Sequence, residues 1–63
     1  MSDPYKALLG ELYTIKAFWA VDLWRSRNFH RIVRLTDAER IQLRADILQW
    51  EGVLVGNAGE VAA

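Results

Sequence analysis

The chain has no cysteine, and that absence removes the two commonest reinforcements of a very small fold. Neither a disulfide nor a thiolate metal site is available, and the single histidine, His30, does not build a zinc site alone. Cofactors and metals are therefore not expected. Net charge is lacking too: 8 Lys plus Arg balance 8 Asp plus Glu. Proteins dedicated to nucleic acid are usually basic overall. No apolar run approaches the ~20 residues needed to span a bilayer, so no membrane partner is expected. The start, Met1-Ser2-Asp3-Pro4, lacks the basic and apolar regions of a signal peptide. A cytoplasmic location is the expectation.

With 63 residues the chain forms one domain, 1–63. A domain of that size buries only about 60% of the surface its unfolded chain exposes. A second subunit or a bound partner is the reinforcement still open to it.

One proline, Pro4, punctuates the sequence, and it stands where a helix can begin. Asp3 is a suitable N-cap before it. No further proline interrupts the pattern, so a first helix is expected over about 4–27. On a helical wheel Tyr5, Leu8, Leu12, Ile15, Trp19 and Leu23 share one face, widened by Leu9, Tyr13, Ala17, Ala20 and Trp24. Lys16 falls inside that face, either snorkelling to water or held in a buried ion pair. Phe18 falls on the polar side, with Glu11 and Asp22. Asn28 suits a left-handed helix end. Residues 29–35 fit either a helical turn or, with Arg31 pointing inward, a short strand; a bend followed by a helical turn is the favoured reading.

Thr36-Asp37-Ala38-Glu39 is a capping box, with the Thr36 hydroxyl and the Glu39 carboxylate each able to serve the other's backbone N–H. A second helix is expected over about 37–51, ended by Gly52. It carries two opposed apolar faces. Ala38, Ile41, Ala45 and Leu48 line one, and Leu43, Ile47 and Trp50 line the other. A short chain with one other long helix covers only one of them. The Leu43–Ile47–Trp50 face is therefore expected to meet a second subunit or another protein. Val53-Leu54-Val55 reads as a short extended segment, and 57–63 as a frayed tail. The fold class is all-α.

Catalytic patterns are missing. Ser2 and Ser26 are not in a nucleophile-elbow pattern, and no Gly-rich phosphate loop occurs. The protein is not expected to be an enzyme. Charge is uneven along the chain: residues 25–44 hold six Arg against Asp37 and Glu39, a net of +4. Within that stretch Arg25, Arg27, Arg31 and Arg34 lie in ten residues free of acid, beside Trp24, Phe29 and His30. Guanidinium forks match carboxylates and phosphates alike. The expected partner-binding residues are Arg25, Arg27, Phe29, His30, Arg31 and Arg34, with Phe18. A protein is the favoured partner and a nucleic acid the less favoured one.

In build the chain resembles the very short proteins of phages and mobile elements that inhibit a host protein by covering its surface. That resemblance implies a small helical interaction protein. The alternatives are a dimeric helical regulator that binds DNA or RNA, and a structural subunit of a larger assembly.

Overall fold

The computed structural model describes the backbone of residues 2–62 and the side chains of 2–56. It is all-α, with no strand among the described residues. The helices are α1 (Asp3–Leu12), α2 (Phe18–Arg27), α3 (Phe29–Ile32) and α4 (Asp37–Ala62).

The long first helix expected over 4–27 is two helices. Tyr13 and Leu12 close α1 in tightened turns, with Thr14 N–H donating to the Glu11 carbonyl at 3.1 Å and Ile15 N–H to that of Leu12 at 3.0 Å. The Thr14 hydroxyl also donates to the Glu11 carbonyl at 2.6 Å, a local bond that competes with helix continuation. Ala17 then takes an extended conformation and starts α2 without any side-chain cap. Lys16 is exposed and makes no ion pair among the described residues. Its ammonium donates to the Tyr13 carbonyl at 3.2 Å and lies 5.3 Å from the Trp50 ring centroid.

Trp50, on α4, holds this corner. Its indole N–H donates to the Ile15 carbonyl at 2.9 Å, and its ring meets Tyr13 edge-on at 5.2 Å. With the corner clamped, α1 runs in the same direction as α4, meeting it from Ser2–Glu39 through Tyr5–Asp46 to Ile15–Trp50. The chain then turns back through α2 and α3. The core is Tyr5, Leu8 and Leu12 of α1, Val21 of α2, Leu35, and Leu43, Ile47 and Leu54 of α4. Leu8, Leu12, Val21 and Leu43 are fully buried, each contributing roughly 1.5–3 kcal/mol.

The second helix is longer than its sequence suggests. Gly52 and Gly56 both lie within α4, and no positive φ occurs among the described residues, so neither terminates the helix. Val53-Leu54-Val55 is helical rather than extended, with Leu54 in the core. At 1.5 Å per residue the 26-residue helix is about 39 Å long, which accounts for the 40 Å long dimension of the molecule. Of the tail expected at 57–63, α4 takes in the backbone through Ala62; its side chains, and Ala63, lie outside the described residues. Asn28 ends α2 as expected, but with φ −108° and not in the left-handed region. The helical turn expected after it is α3.

The helix starts are tied together. Ser2, not Asp3, caps α1, its hydroxyl accepting from Tyr5 N–H at 3.4 Å. The capping box at Thr36 forms: Glu39 N–H donates to the Thr36 hydroxyl and Thr36 N–H to the Glu39 carboxylate, each at 3.2 Å. The same carboxylate accepts from Ser2 N–H at 2.8 Å and from the Ser2 hydroxyl at 2.5 Å. One buried side chain thus serves two helix N-termini 37 residues apart. These bonds, those from Ser2 foremost, hold the Glu39 carboxyl down at about 2. Tyr5, buried and donating to Asp46, is pushed up to about 12.

Two outcomes follow from this fold. Trp50→Phe keeps most of the ring but removes the donor to Ile15, and we expect a loss of about 1 kcal/mol in urea unfolding; an unchanged midpoint means the corner does not depend on that bond. In titration, Glu39 is more acidic folded than unfolded, where its value is ~4.3, so its contribution is present above that value. It is lost as pH falls towards about 2. Tyr5 behaves in the opposite sense: its contribution is present below the unfolded value of ~10 and is lost as pH rises towards about 12. Glu39→Gln should flatten the acid limb of a stability–pH curve and Tyr5→Phe the alkaline limb. A curve with the same limbs in both variants contradicts these assignments.

Candidate interaction surface

The break at 13–17 sets which side chains of α2 reach solvent. Val21 points into the core, Trp24 packs at its edge, and Ala20 and Asn28 are half-buried. The rest of α2 is open. Phe18, Asp22 and Arg25 succeed one another along one side, and Phe29 at the start of α3 extends the line, since Asp22, Arg25, Ser26 and Phe29 border one shallow depression. Trp19 and Leu23, one turn apart, lie on the adjoining strip. Trp19 is 70% exposed and Phe29 65%.

Trp19 and Leu23 are the residues that sequence reasoning missed. A continuous helix puts them on the buried face of Tyr5, Leu8 and Leu12; the corner turns them outward. The available signal was local: β-branched Thr14 and Ile15, followed by Lys16 inside the apolar stripe.

The expected partner-binding residues do not stay together. Phe18, Arg25, Arg27, Phe29, His30 and Arg34 are exposed. Arg25 has Asp22 at 3.9 Å. Arg31 is committed inside the chain. Its guanidinium donates to both Glu11 carboxylate oxygens at 2.9 and 2.8 Å, and to the Asn28 side-chain oxygen at 2.8 Å. Glu11 also accepts from the Trp24 indole N–H at 3.4 Å. The arginine segment is free of acid along the sequence but not in space, because α1 supplies one. The pair favours its charged forms, lowering the Glu11 pKa and raising that of Arg31, through their shared hydrogen bonds.

The Leu43–Ile47–Trp50 face, expected to meet a second subunit, is covered by the chain itself. Leu43 and Ile47 are in the core and Trp50 packs against it. The turn between α1 and α2 supplies two covering helices where a continuous one supplies a single neighbour. The opposite face of α4 is the open one, with Ile41 72% and Leu48 60% exposed.

Between α3 and α4 a groove of about 160 Å³ is rimmed by Arg25, Arg40 and Arg44 and floored by Leu43 and Ile47, with Phe29 at its mouth. Arg40 is itself paired with Asp37. A second cleft, of about 430 Å³, lies between the start of α1 and the start of α4, with Arg31, Arg34 and Glu39 on its wall. Its carboxylate is already fully hydrogen-bonded and strongly acidic, which makes it a poor general base. Among the described residues no group of three or more His, Asp or Glu is placed to hold a metal ion, and no helix is long and apolar enough to cross a membrane. Comparison with family models, with curated proteins and with solved structures finds no match for this chain.

The internal role of Arg31 is measurable. Arg31→Gln should cost about 1 kcal/mol, since both partners of the pair are partly exposed and solvent screens them. Arg27→Gln and Trp19→Ala, at exposed positions, should change stability by less than about 0.5 kcal/mol. Equal losses in all three variants contradict the division between committed and free side chains.

Proposed function

We propose that this protein is a non-enzymatic helical interaction module whose α2–α3 surface docks on a larger protein and occludes it, in the manner of the short inhibitors of phages and mobile elements. The observation that carries this reading is the exposed set of Phe18, Trp19, Leu23 and Phe29 interleaved with Arg25 and Arg27. Large aromatics and arginines concentrate binding energy at protein interfaces, while lysine and glutamate are depleted there. Here Phe18 and Trp19 stand on a formed helix, so docking orders side chains more than backbone. The partner is expected to be acidic around an apolar centre, because guanidinium groups flank the aromatic strip. A phosphate backbone is a weaker match. Net charge is zero, and Arg31 is spent on Glu11.

The test is a quantitative pull-down with the intact chain and with Trp19→Ala/Arg25→Glu/Phe29→Ala. The expected result is a protein retained by the native chain and lost with the triple variant, at unchanged helicity by circular dichroism. Retention of that protein by the variant overturns the assignment of the surface. Tight, salt-sensitive retention on heparin without any protein partner supports nucleic-acid binding instead.

A further inference from the structure

The outer face of α4 is apolar over its described length and has no cover among the described residues. Ile41, Leu48 and Val55 repeat every seven residues and are 72%, 60% and 52% exposed. Ala38, Ala45 and Gly52 repeat at the same interval between them, on the same side of the helix. The two series alternate at spacings of three and four, the pattern of a coiled-coil seam. Gly52 lies in mid-helix, where glycine is a poor helix former, and a Cβ there meets nothing within 4 Å. The chain's own packing therefore does not call for a missing side chain at that point.

We propose that this face binds a second copy of the chain through an antiparallel pairing of the two α4 helices. The arrangement of side chains selects both the partner and the direction. In an antiparallel seam centred between Ala45 and Leu48, each large residue faces a small one. Ile41 meets the partner's Gly52, Leu48 meets the partner's Ala45, and Val55 meets the partner's Ala38. A parallel seam stacks large on large and then small on small, leaving crowded layers next to voids. The flanks agree with this choice. Arg44 and Glu51 lie on the same side of the stripe, one heptad apart, and neither makes an ion pair among the described residues. In the antiparallel register Arg44 lies beside the partner's Glu51, and the two-fold axis repeats the pair. In a parallel register these charges face the uncharged positions Gln49 and Gly56. Such flanking charges set partner and orientation more than they add affinity.

This interface adjoins the α2–α3 surface at the groove that Arg25, Phe29 and Arg44 border, but Leu48 lies outside that groove, so each can fail without the other. Sedimentation equilibrium of the intact chain at high micromolar concentration should return twice the 7.2 kDa chain mass. Leu48→Glu, at an exposed position, should return the chain mass with unchanged helicity. Arg44→Glu and Glu51→Arg should each weaken self-association. Mixed in equal amounts, they should associate at least about tenfold more tightly than either does alone, because every flanking pair is then complementary. A monomeric native chain overturns the proposal, as does a dimer that survives Leu48→Glu. A mixture no tighter than its components overturns the antiparallel direction.

Discussion

The indole of Trp50 is the constraint on which the rest of this fold depends. Residues 13–17 leave a helix without a glycine or proline to break it, and the outgoing helix begins without a side-chain cap. Such a corner is costly unless something outside it satisfies its backbone. Trp50 does so through one hydrogen bond to Ile15, while Tyr13 and Lys16 close over its ring. The corner in turn places α1 and α2 against the same face of α4. Without it, one long helix meets another along a single seam, and α4 loses one of the two helices packed against it.

The remaining fixings share one logic, in which a carboxylate on one helix serves groups far away in sequence. Glu39 joins the starts of α1 and α4, Glu11 joins α1 to α2 and α3, and Asp46 receives the Tyr5 hydroxyl. In 63 residues the apolar core has only eight buried positions among the described residues, four of them fully buried, against the conformational entropy of the whole chain. Bonds with long sequence separation help a fold this small to specify one packing of its helices, because each alternative packing leaves a charged or polar group without its partner. Glu39 is the strongest case, since its carboxylate has four donors, from Ser2 and Thr36, and is buried.

What could be read from the sequence divides along the same line. The all-α class, the capping box at Thr36 and the helical turn after Asn28 rest on interactions within a few residues, and all are present. The split at 13–17, the span of α4 across Gly52, and the covering of Leu43 and Ile47 rest on contacts between distant segments. Glycine in mid-helix costs about 1 kcal/mol, a sum that burial of Leu54 on the far side outweighs. The same holds for the candidate surface. The exposed arginines and Phe29 were visible as a run of residue types. That Arg31 belongs to Glu11, 20 positions away, and that Trp19 and Leu23 face outward, follow only from the corner.

The two-faced character of α4 was visible in its residues, but its meaning turned on side-chain size. Of its two apolar stripes, the one with Leu43, Ile47, Trp50 and Leu54 has bulk at every position, and the one with Ala38, Ala45 and Gly52 has it at alternate positions only. Intramolecular cover goes to the bulkier stripe, because transfer free energy scales with the apolar area removed from water. The remaining stripe is too regular for scattered surface residues and too small at alternate positions to fill a groove by itself. Its geometry suits a neighbour of complementary profile approaching closely, and reversal of the stripe supplies that profile. A surface meant for a larger protein has no such need to match itself. The α2–α3 strip, with its aromatics and unequal charges, shows no self-complementary order. The two open surfaces thus differ in kind: one is built by repetition, the other by composition.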